Sequence, residues 1–144
     1  MTYLDTSALI KKYFQEPGTA VVREIVTGIG LCSISKIGYA EVCATFGRKS
    51  RENLKEKSKH LKTFQSFQED WKRLTIIELG DDLLPIVRHL TERYPLRGAD
   101  AIHLASALWL QRALREEVTL VAADTNLLDA ADSERLKVIN PERA

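Results

Sequence analysis

Short apolar runs alternate with longer amphipathic stretches along almost the whole chain. The short runs have the length and composition of strands, and the longer stretches repeat their apolar residues at helical spacing. Strands are predicted at residues 2–5, 30–34, 74–79, 118–123 and 136–139, and helices at 6–14, 18–27, 35–50, 54–72, 81–93, 99–115 and 125–132. Such alternation predicts an α/β fold with a five-stranded parallel sheet flanked by helices on both faces.

The size of the chain allows one hydrophobic core. It has 144 residues, of which 44% are hydrophobic and 28% charged, so we expect a single domain over residues 1–144. It shows no basic-then-apolar leader and no long apolar run, so we expect a cytoplasmic protein without a membrane segment. Cys32 and Cys43 lack CxxC spacing and are expected to be reduced core residues.

Four carboxylates stand out by their positions. Asp5 and Asp124 each close a strand-like run, "MTYL" and "VTLVAA", and Asp100 lies in the first turn of the helix predicted from residue 99. Ligands of open α/β sheets bind above the carboxyl ends of the strands, which is where Asp5 and Asp124 should meet. Glu41 lies inside the helix at 35–50, on a side shared with small and apolar residues, and that is an inward direction for a charge.

Helix capping is the competing explanation for three of these acids. Asp is a favoured N-cap residue and is stabilised near the positive end of a helix dipole. Taken singly, Asp5, Asp100 or Asp124 could be only a cap, but capping does not explain Glu41. Crowded carboxylates repel one another unless a cation neutralises them, and oxygen ligands suit Mg²⁺ or Mn²⁺. The four acids together therefore indicate a divalent-metal site.

The residues around the four acids form four motifs. They read "YLDTSALIKKY" at 3–13, "SKIGYAEVCATF" at 35–46, "RGADAIHLASAL" at 97–108 and "LVAADTNLLDAA" at 120–131. In this order they resemble the four acidic motifs of PIN-domain ribonucleases, and most closely those of the toxins of VapBC-type toxin–antitoxin pairs. The resemblance covers essentially the whole chain. It places the acidic residues of the family on Asp5, Glu41, Asp100 and Asp124, and its hydroxyl residue on Thr6.

The resemblance implies a metal-dependent endoribonuclease with the Asp5 strand at the centre of its sheet. Asp5 and Asp100 would be the principal ligands of Mg²⁺ or Mn²⁺, and Asp124 a ligand through water or to a second ion. Glu41 would be a water-mediated ligand that orients the attacking water. Thr6 would support Asp5 or the scissile phosphate, although a helix cap is an equal alternative for it.

Basic residues near the acids are candidates for holding RNA. The net charge is only +1, but residues 48–62 contain seven Lys or Arg against two Glu. Binding to an RNA backbone is largely electrostatic, and Arg48, Lys49 and Arg97 are the best candidates because they lie close to the acids along the chain. The alternative is a solvated helical face. His103 is expected to be a hydrogen-bonded packing residue, since the four family acids do not include it.

The resemblance also implies protein partners. A cognate antitoxin would lay its carboxyl-terminal segment over the acidic site, often with a basic side chain, which the acids attract as they attract a metal. A second copy of the chain would form a homodimer. Two helices carry apolar residues that could form a groove or could be core, namely Val21, Val22, Ile25, Tyr39 and Phe46.

Two other functions stay open. Haloacid-dehalogenase-like phosphatases also begin with a strand that ends in Asp, which would make Asp5 a covalent nucleophile. Those enzymes typically have a second Asp two residues later, where this chain has Ser7. The other alternative is a non-catalytic RNA- or protein-binding module of PIN architecture, against which the intact set of acids argues.

Overall fold

The computed structural model describes residues 1–144 and contains a five-stranded, fully parallel sheet. Its strands are β1 (Thr2–Leu4), β2 (Cys32–Ser35), β3 (Thr75–Ile77), β4 (Thr119–Val121) and β5 (Lys137–Ile139). They lie in the order β3-β2-β1-β4-β5. The predicted fold class is confirmed, and β1, which leads into Asp5, is the central strand as expected.

Seven helices connect these strands. They are α1 (Thr6–Ile10), α2 (Thr19–Thr27), α3 (Ile37–Glu52), α4 (Lys57–Trp71), α5 (Leu84–Arg93), α6 (Gly98–Leu114) and α7 (Thr125–Ser133). Short 3-10 turns precede α4 and α5, at Leu54–Glu56 and Asp81–Leu83. No helix is both long enough and apolar enough to cross a bilayer.

The first helix is shorter than predicted. The sequence pattern indicates a helix over 6–14, whereas α1 ends at Ile10 and continues as a turn. From that turn the rings of Tyr13 and Phe14 both pack against Phe46. Contacts with the core thus override the local helical pattern.

The sheet is buried on both faces. Successive residues of β1 point in opposite directions, so Tyr3 joins the apolar cluster under α5, α6 and α7, while Leu4 joins the cluster under α1 to α4. Cys32 is buried in the second cluster, but Cys43 is only half-buried on α3, so the expectation that both cysteines are core residues is correct for Cys32 alone. Both are free thiols.

The apolar residues of α2 and α3 serve mainly as core. Val22 and Phe46 are buried, and Ile25 and Tyr39 pack against the same cluster. Val21 is half-buried. Core packing, rather than an open groove, therefore explains four of the five residues.

Candidate active site

All four predicted acids line one cleft at the carboxyl edge of the sheet. The cleft has a volume of ≈ 660 Å³, and Asp5, Glu41, Asp100 and Asp124 all contribute to it. The register of the sheet explains two of these positions. Leu4 of β1 lies beside Val121 of β4, so both strands end level and deliver Asp5 and Asp124 to the same edge.

Asp5 lies deep in the cleft. It is only 4% exposed, and its backbone N–H donates to the carbonyl of Val121 at 3.0 Å. It occupies the N-cap position of α1, but its side chain makes no capping hydrogen bond. The Ser7 hydroxyl instead donates to Oδ2 of Asp5 at 2.5 Å. Capping therefore does not account for the Asp5 carboxylate.

Asp124 and Asp100 differ in their relation to helix ends. Asp124 is the N-cap of α7, and its Oδ1 accepts a hydrogen bond from the backbone N–H of Leu127 at 2.9 Å. Helix capping thus accounts for one oxygen of Asp124, and Oδ2 remains available for another partner. Asp100 lies in the first turn of α6, where Arg97 holds the N-cap position. The dipole of α6 favours a negative charge there.

Glu41 belongs to a hydrogen-bonded network beneath the cleft floor. Its side chain is 36% exposed, and Oε1 accepts from the Thr6 hydroxyl at 2.8 Å and lies 2.7 Å from Nε2 of His103. His103 is completely buried, and its Nδ1 lies 2.8 Å from the hydroxyl of Tyr3. Nε2 also lies 3.7 Å from Oδ1 of Asp5. The network thus joins α1, α3, α6 and β1.

The acids of the cleft differ in their ease of ionisation. Burial, together with the charges of Asp5 and Asp124, raises the pKa of Asp100 above its usual value. Burial also opposes ionisation of Glu41, but the hydrogen bond and charge of His103 and the Thr6 hydroxyl outweigh it and lower its pKa. Of these two acids, Asp100 is therefore the one whose ionised form gains more from a nearby cation.

The donor set fits a strongly hydrated divalent ion. No three His, Cys, Asp or Glu side chains lie close enough together to hold a metal ion by themselves. Mg²⁺ usually takes only one or two carboxylates directly and keeps several waters. The wide separation of the cleft acids therefore suits Mg²⁺ better than a metal whose ligands all come from the protein. No lysine or arginine pairs with Asp5, Asp100 or Asp124, so their negative charge is available to a cation.

Comparison with known proteins identifies the family. Residues 2–133 match the sequence model of the family described as "PIN domain". The chain belongs to the PIN-domain family. Two Mycobacterium tuberculosis proteins described as Ribonuclease VapC45 and Ribonuclease VapC49 are each 30% identical to it over 108 residues, which is 75% of this chain and 75% of each relative. The predicted resemblance is confirmed.

Several solved structures share this fold, and one of them is described as a toxin–antitoxin complex. FitAcB from Neisseria gonorrhoeae has a TM-score of 0.61 at 22% identity, and the match covers 100% of both chains. A toxin–antitoxin complex from Klebsiella pneumoniae has a TM-score of 0.66 at 21% identity, covering 98% of each chain. VapBC2 from Rickettsia felis, bound to a promoter DNA fragment, has a TM-score of 0.65 at 17% identity, covering 97% of this chain and 98% of that one.

The predicted basic residues lie on the walls of this PIN cleft. Arg48, Lys49 and Arg97 all line it. The Lys49 ammonium lies 4.6 Å from the centre of the Phe14 ring, and the Arg48 guanidinium lies 3.9 Å from Glu52. Neither cation pairs with one of the four cleft acids.

The sequence pattern did not predict the contacts of several side chains in the PIN cleft and beneath it. Lys11 lines the cleft at only 4% exposure, and its ammonium pairs with Glu16 at 3.0 Å and Glu142 at 2.9 Å. His103 was expected to be a hydrogen-bonded packing residue, which it is, but its partners are Glu41 and Thr6 of the candidate site. The histidine of the "DAIHLASAL" motif, one turn after Asp100, was the available signal for that role.

Proposed function

We propose that this chain is a metal-dependent endoribonuclease and the toxin of a toxin–antitoxin pair. The observation that carries the proposal is the cleft in which four acids converge while no lysine or arginine neutralises three of them. The relatives described as ribonucleases support RNA as the substrate. In this proposal residues 1–144 form one PIN domain, which acts in the cytoplasm where its RNA substrates are found.

The proposed site divides the work among the acids. Asp5 and Asp100 would be the principal ligands of Mg²⁺ or Mn²⁺, and Asp124 would assist, through water or a second ion, with the oxygen that does not cap α7. When bound, the ion lowers the pKa of the attacking water and stabilises charge on the scissile phosphate and the leaving 3′ oxygen. The expected products carry a 5′ phosphate and a 3′ hydroxyl.

Glu41 and the neighbouring side chains orient the reactants. One Glu41 oxygen is occupied by Thr6 and His103, so the other can accept a hydrogen bond from the attacking water and hold it in line with the phosphate. Thr6 supports the site through Glu41 rather than by capping a helix. Arg48, Lys49 and Arg97 hold the phosphates on either side of the scissile bond.

The proposed partners follow from the charge of the cleft and from the structural neighbours. The Klebsiella pneumoniae neighbour is described as a toxin–antitoxin complex, which supports a cognate antitoxin whose carboxyl-terminal segment covers the cleft. A basic side chain from that segment would compete with the metal for Asp5 and Asp100, because both are cations. We also propose that the toxin forms a homodimer.

Cleavage of total RNA by the purified full-length protein tests this function. We expect cleavage with Mg²⁺ or Mn²⁺, none with chelator, and a loss of about 100-fold or more in Asp5→Asn and Asp100→Asn, since even partners of metal ligands cost 10–100-fold. Asp129→Asn, which removes an exposed acid on α7, is the matched control and should retain activity. Cleavage that survives chelation, or full activity in both cleft variants, would contradict the proposal.

The same preparation separates the two alternatives. Accumulation of an aspartyl-phosphate on Asp5 during incubation with a phosphomonoester would support a phosphatase. RNA binding without cleavage in the presence of either metal would support a non-catalytic module.

A further inference from the structure

The buried imidazole of His103 lies beneath the cleft, with Nε2 beside Glu41 and Nδ1 beside Tyr3. We infer that His103 is a positioning residue, which holds the Glu41 carboxylate in the cleft while Tyr3 holds the imidazole. His103 cannot touch substrate because it is completely buried. Its effect on cleavage rests on the proposed ribonuclease function, whereas its contact with Glu41 does not.

The hydrogen-bonding partners determine which ring nitrogen carries a proton. Oε1 of Glu41 accepts from the Thr6 hydroxyl at 2.8 Å, and a carboxylate oxygen has no hydrogen of its own to donate. The single Thr6 hydroxyl proton is donated to Oε1 of Glu41, so the Thr6 oxygen 3.1 Å from Nε2 offers only lone pairs. Both neighbours of Nε2 are acceptors, and Nε2 must therefore carry hydrogen and donate to Glu41. This holds for a neutral and for a doubly protonated ring.

The other side of the ring is anchored to the sheet. The Tyr3 hydroxyl accepts from the backbone N–H of Ser35 at 2.9 Å and lies 2.8 Å from Nδ1 of His103. Tyr3 belongs to the central strand β1, and Ser35 ends the adjacent strand β2. The imidazole is thus tied to the two central strands of the sheet, and outer partners of this kind set the orientation of the groups that do chemistry.

The network controls a side chain that would otherwise be free. Glu41 is on α3 and reaches the cleft through a long, flexible side chain, of which only Oε1 is bonded. Thr6 and His103 come from α1 and α6, the helices that start beside Asp5 and Asp100. Fixing Oε1 from these two helices sets the direction of Oε2 relative to the other acids. A displacement of about 1 Å at such a group can reduce the rate about 100-fold.

Kinetics of matched variants test the inference. His103→Leu should lower kcat by about 10–100-fold while KM changes by less than about threefold. His103→Gln, whose amide can donate near the position of Nε2, should recover about tenfold of that loss. Tyr3→Phe should lose less than His103→Leu. His89→Leu, at an exposed histidine of α5, is the control and should behave as wild type.

A double-mutant cycle shows whether His103 acts through Glu41. In a Glu41→Gln background, His103→Leu should add less than about a twofold loss, because the carboxylate that it positions is gone. Multiplicative losses in the double variant would overturn the inference, and so would wild-type kcat in a folded His103→Leu protein.

NMR of the histidine rings provides a readout independent of activity. In wild type, Nε2 of His103 should carry hydrogen, and this hydrogen should be protected from exchange with solvent. Glu41→Gln should change the chemical shift of this N–H group, whereas the ring signals of His60 and His89 should not move. An unprotonated Nε2, or signals unaffected by Glu41→Gln, would overturn the inference even if cleavage is metal-dependent. If the wild type fails to cut RNA but shows this signature, the proposed function fails and the contact stands.

Discussion

Two acids of this molecule, Asp70 and Asp100, have opposite electrostatic surroundings. Asp70, near the end of α4, is 5% exposed and accepts from Lys12, from the Tyr13 hydroxyl at 2.7 Å and from Arg73 at 2.8 Å. Burial opposes its ionisation, but these hydrogen bonds and charges outweigh burial and lower its pKa. Asp100 in the cleft has no such partners, and burial together with Asp5 and Asp124 raises its pKa.

The difference separates an acid that stabilises the fold from one available for chemistry. The donors to Asp70 come from the turn after α1 and from Arg73, which follows the end of α4, and the charges of Lys12 and Arg73 compensate that of Asp70. The cleft does contain a buried lysine, Lys11, but Glu16 and Glu142 occupy its ammonium. The cleft acids are therefore short of positive charge, as expected of a site that takes its cation from solution.

Replacing Asp70 should have the largest effect on stability. Asp70→Asn leaves the partly buried ammonium of Lys12 without its counter-charge, and removing one member of a buried pair costs about 3–5 kcal/mol. The free energy of unfolding from urea titration measures this loss. A loss below about 1 kcal/mol would mean that Lys12, Tyr13 and Arg73 do not stabilise the charge of Asp70 in the way proposed here.

Replacing Asp100 should change the free energy of unfolding by a smaller amount and in the opposite direction. Asp100→Asn removes a charge that Asp5 and Asp124 repel, so without metal it should raise stability by about 0.5–2 kcal/mol while activity is lost. The exposed control Asp129→Asn should stay within about 0.5 kcal/mol of wild type. A less stable Asp100→Asn protein would contradict the claim that the cleft acids repel one another.

The pH dependence of these two effects sharpens the comparison. The folded pKa of Asp70 is lowered, so its stabilisation is present above about pH 4 and is lost as pH falls through that lowered pKa. The folded pKa of Asp100 is raised, so its destabilisation is absent below about pH 4 and develops as pH rises through the raised value. Urea titrations across this range should show the Asp100→Asn advantage vanish in acid. If Asp100→Asn is still more stable than wild type at pH 3, repulsion between ionised acids is not the cause of its higher stability.

Local pattern was sufficient to predict most of the fold, whereas the roles of the four acids were inferred from the resemblance of their motifs to a family and stay predictions. Alternating strands and helices implied the parallel sheet, and Asp5 and Asp124 could be placed because residues that end neighbouring strands meet at one edge. The contacts of His103 with Tyr3 and of Lys11 with Glu142 join residues 100 and 131 positions apart. Local spacing in the sequence does not predict contacts between residues so far apart. The contacts of Asp70 with Lys12 and Tyr13 could not be predicted for the same reason.

Manganese binding by the full-length protein tests the central claim most directly. Mn²⁺ titration followed by electron paramagnetic resonance should show binding in wild type and in Asp129→Asn, and an affinity at least about tenfold lower in Asp5→Asn and Asp100→Asn. Added Mg²⁺ should displace the Mn²⁺. Binding that Asp5→Asn and Asp100→Asn leave unchanged would contradict the account, because the cleft acids would then not be the site that takes up the cation.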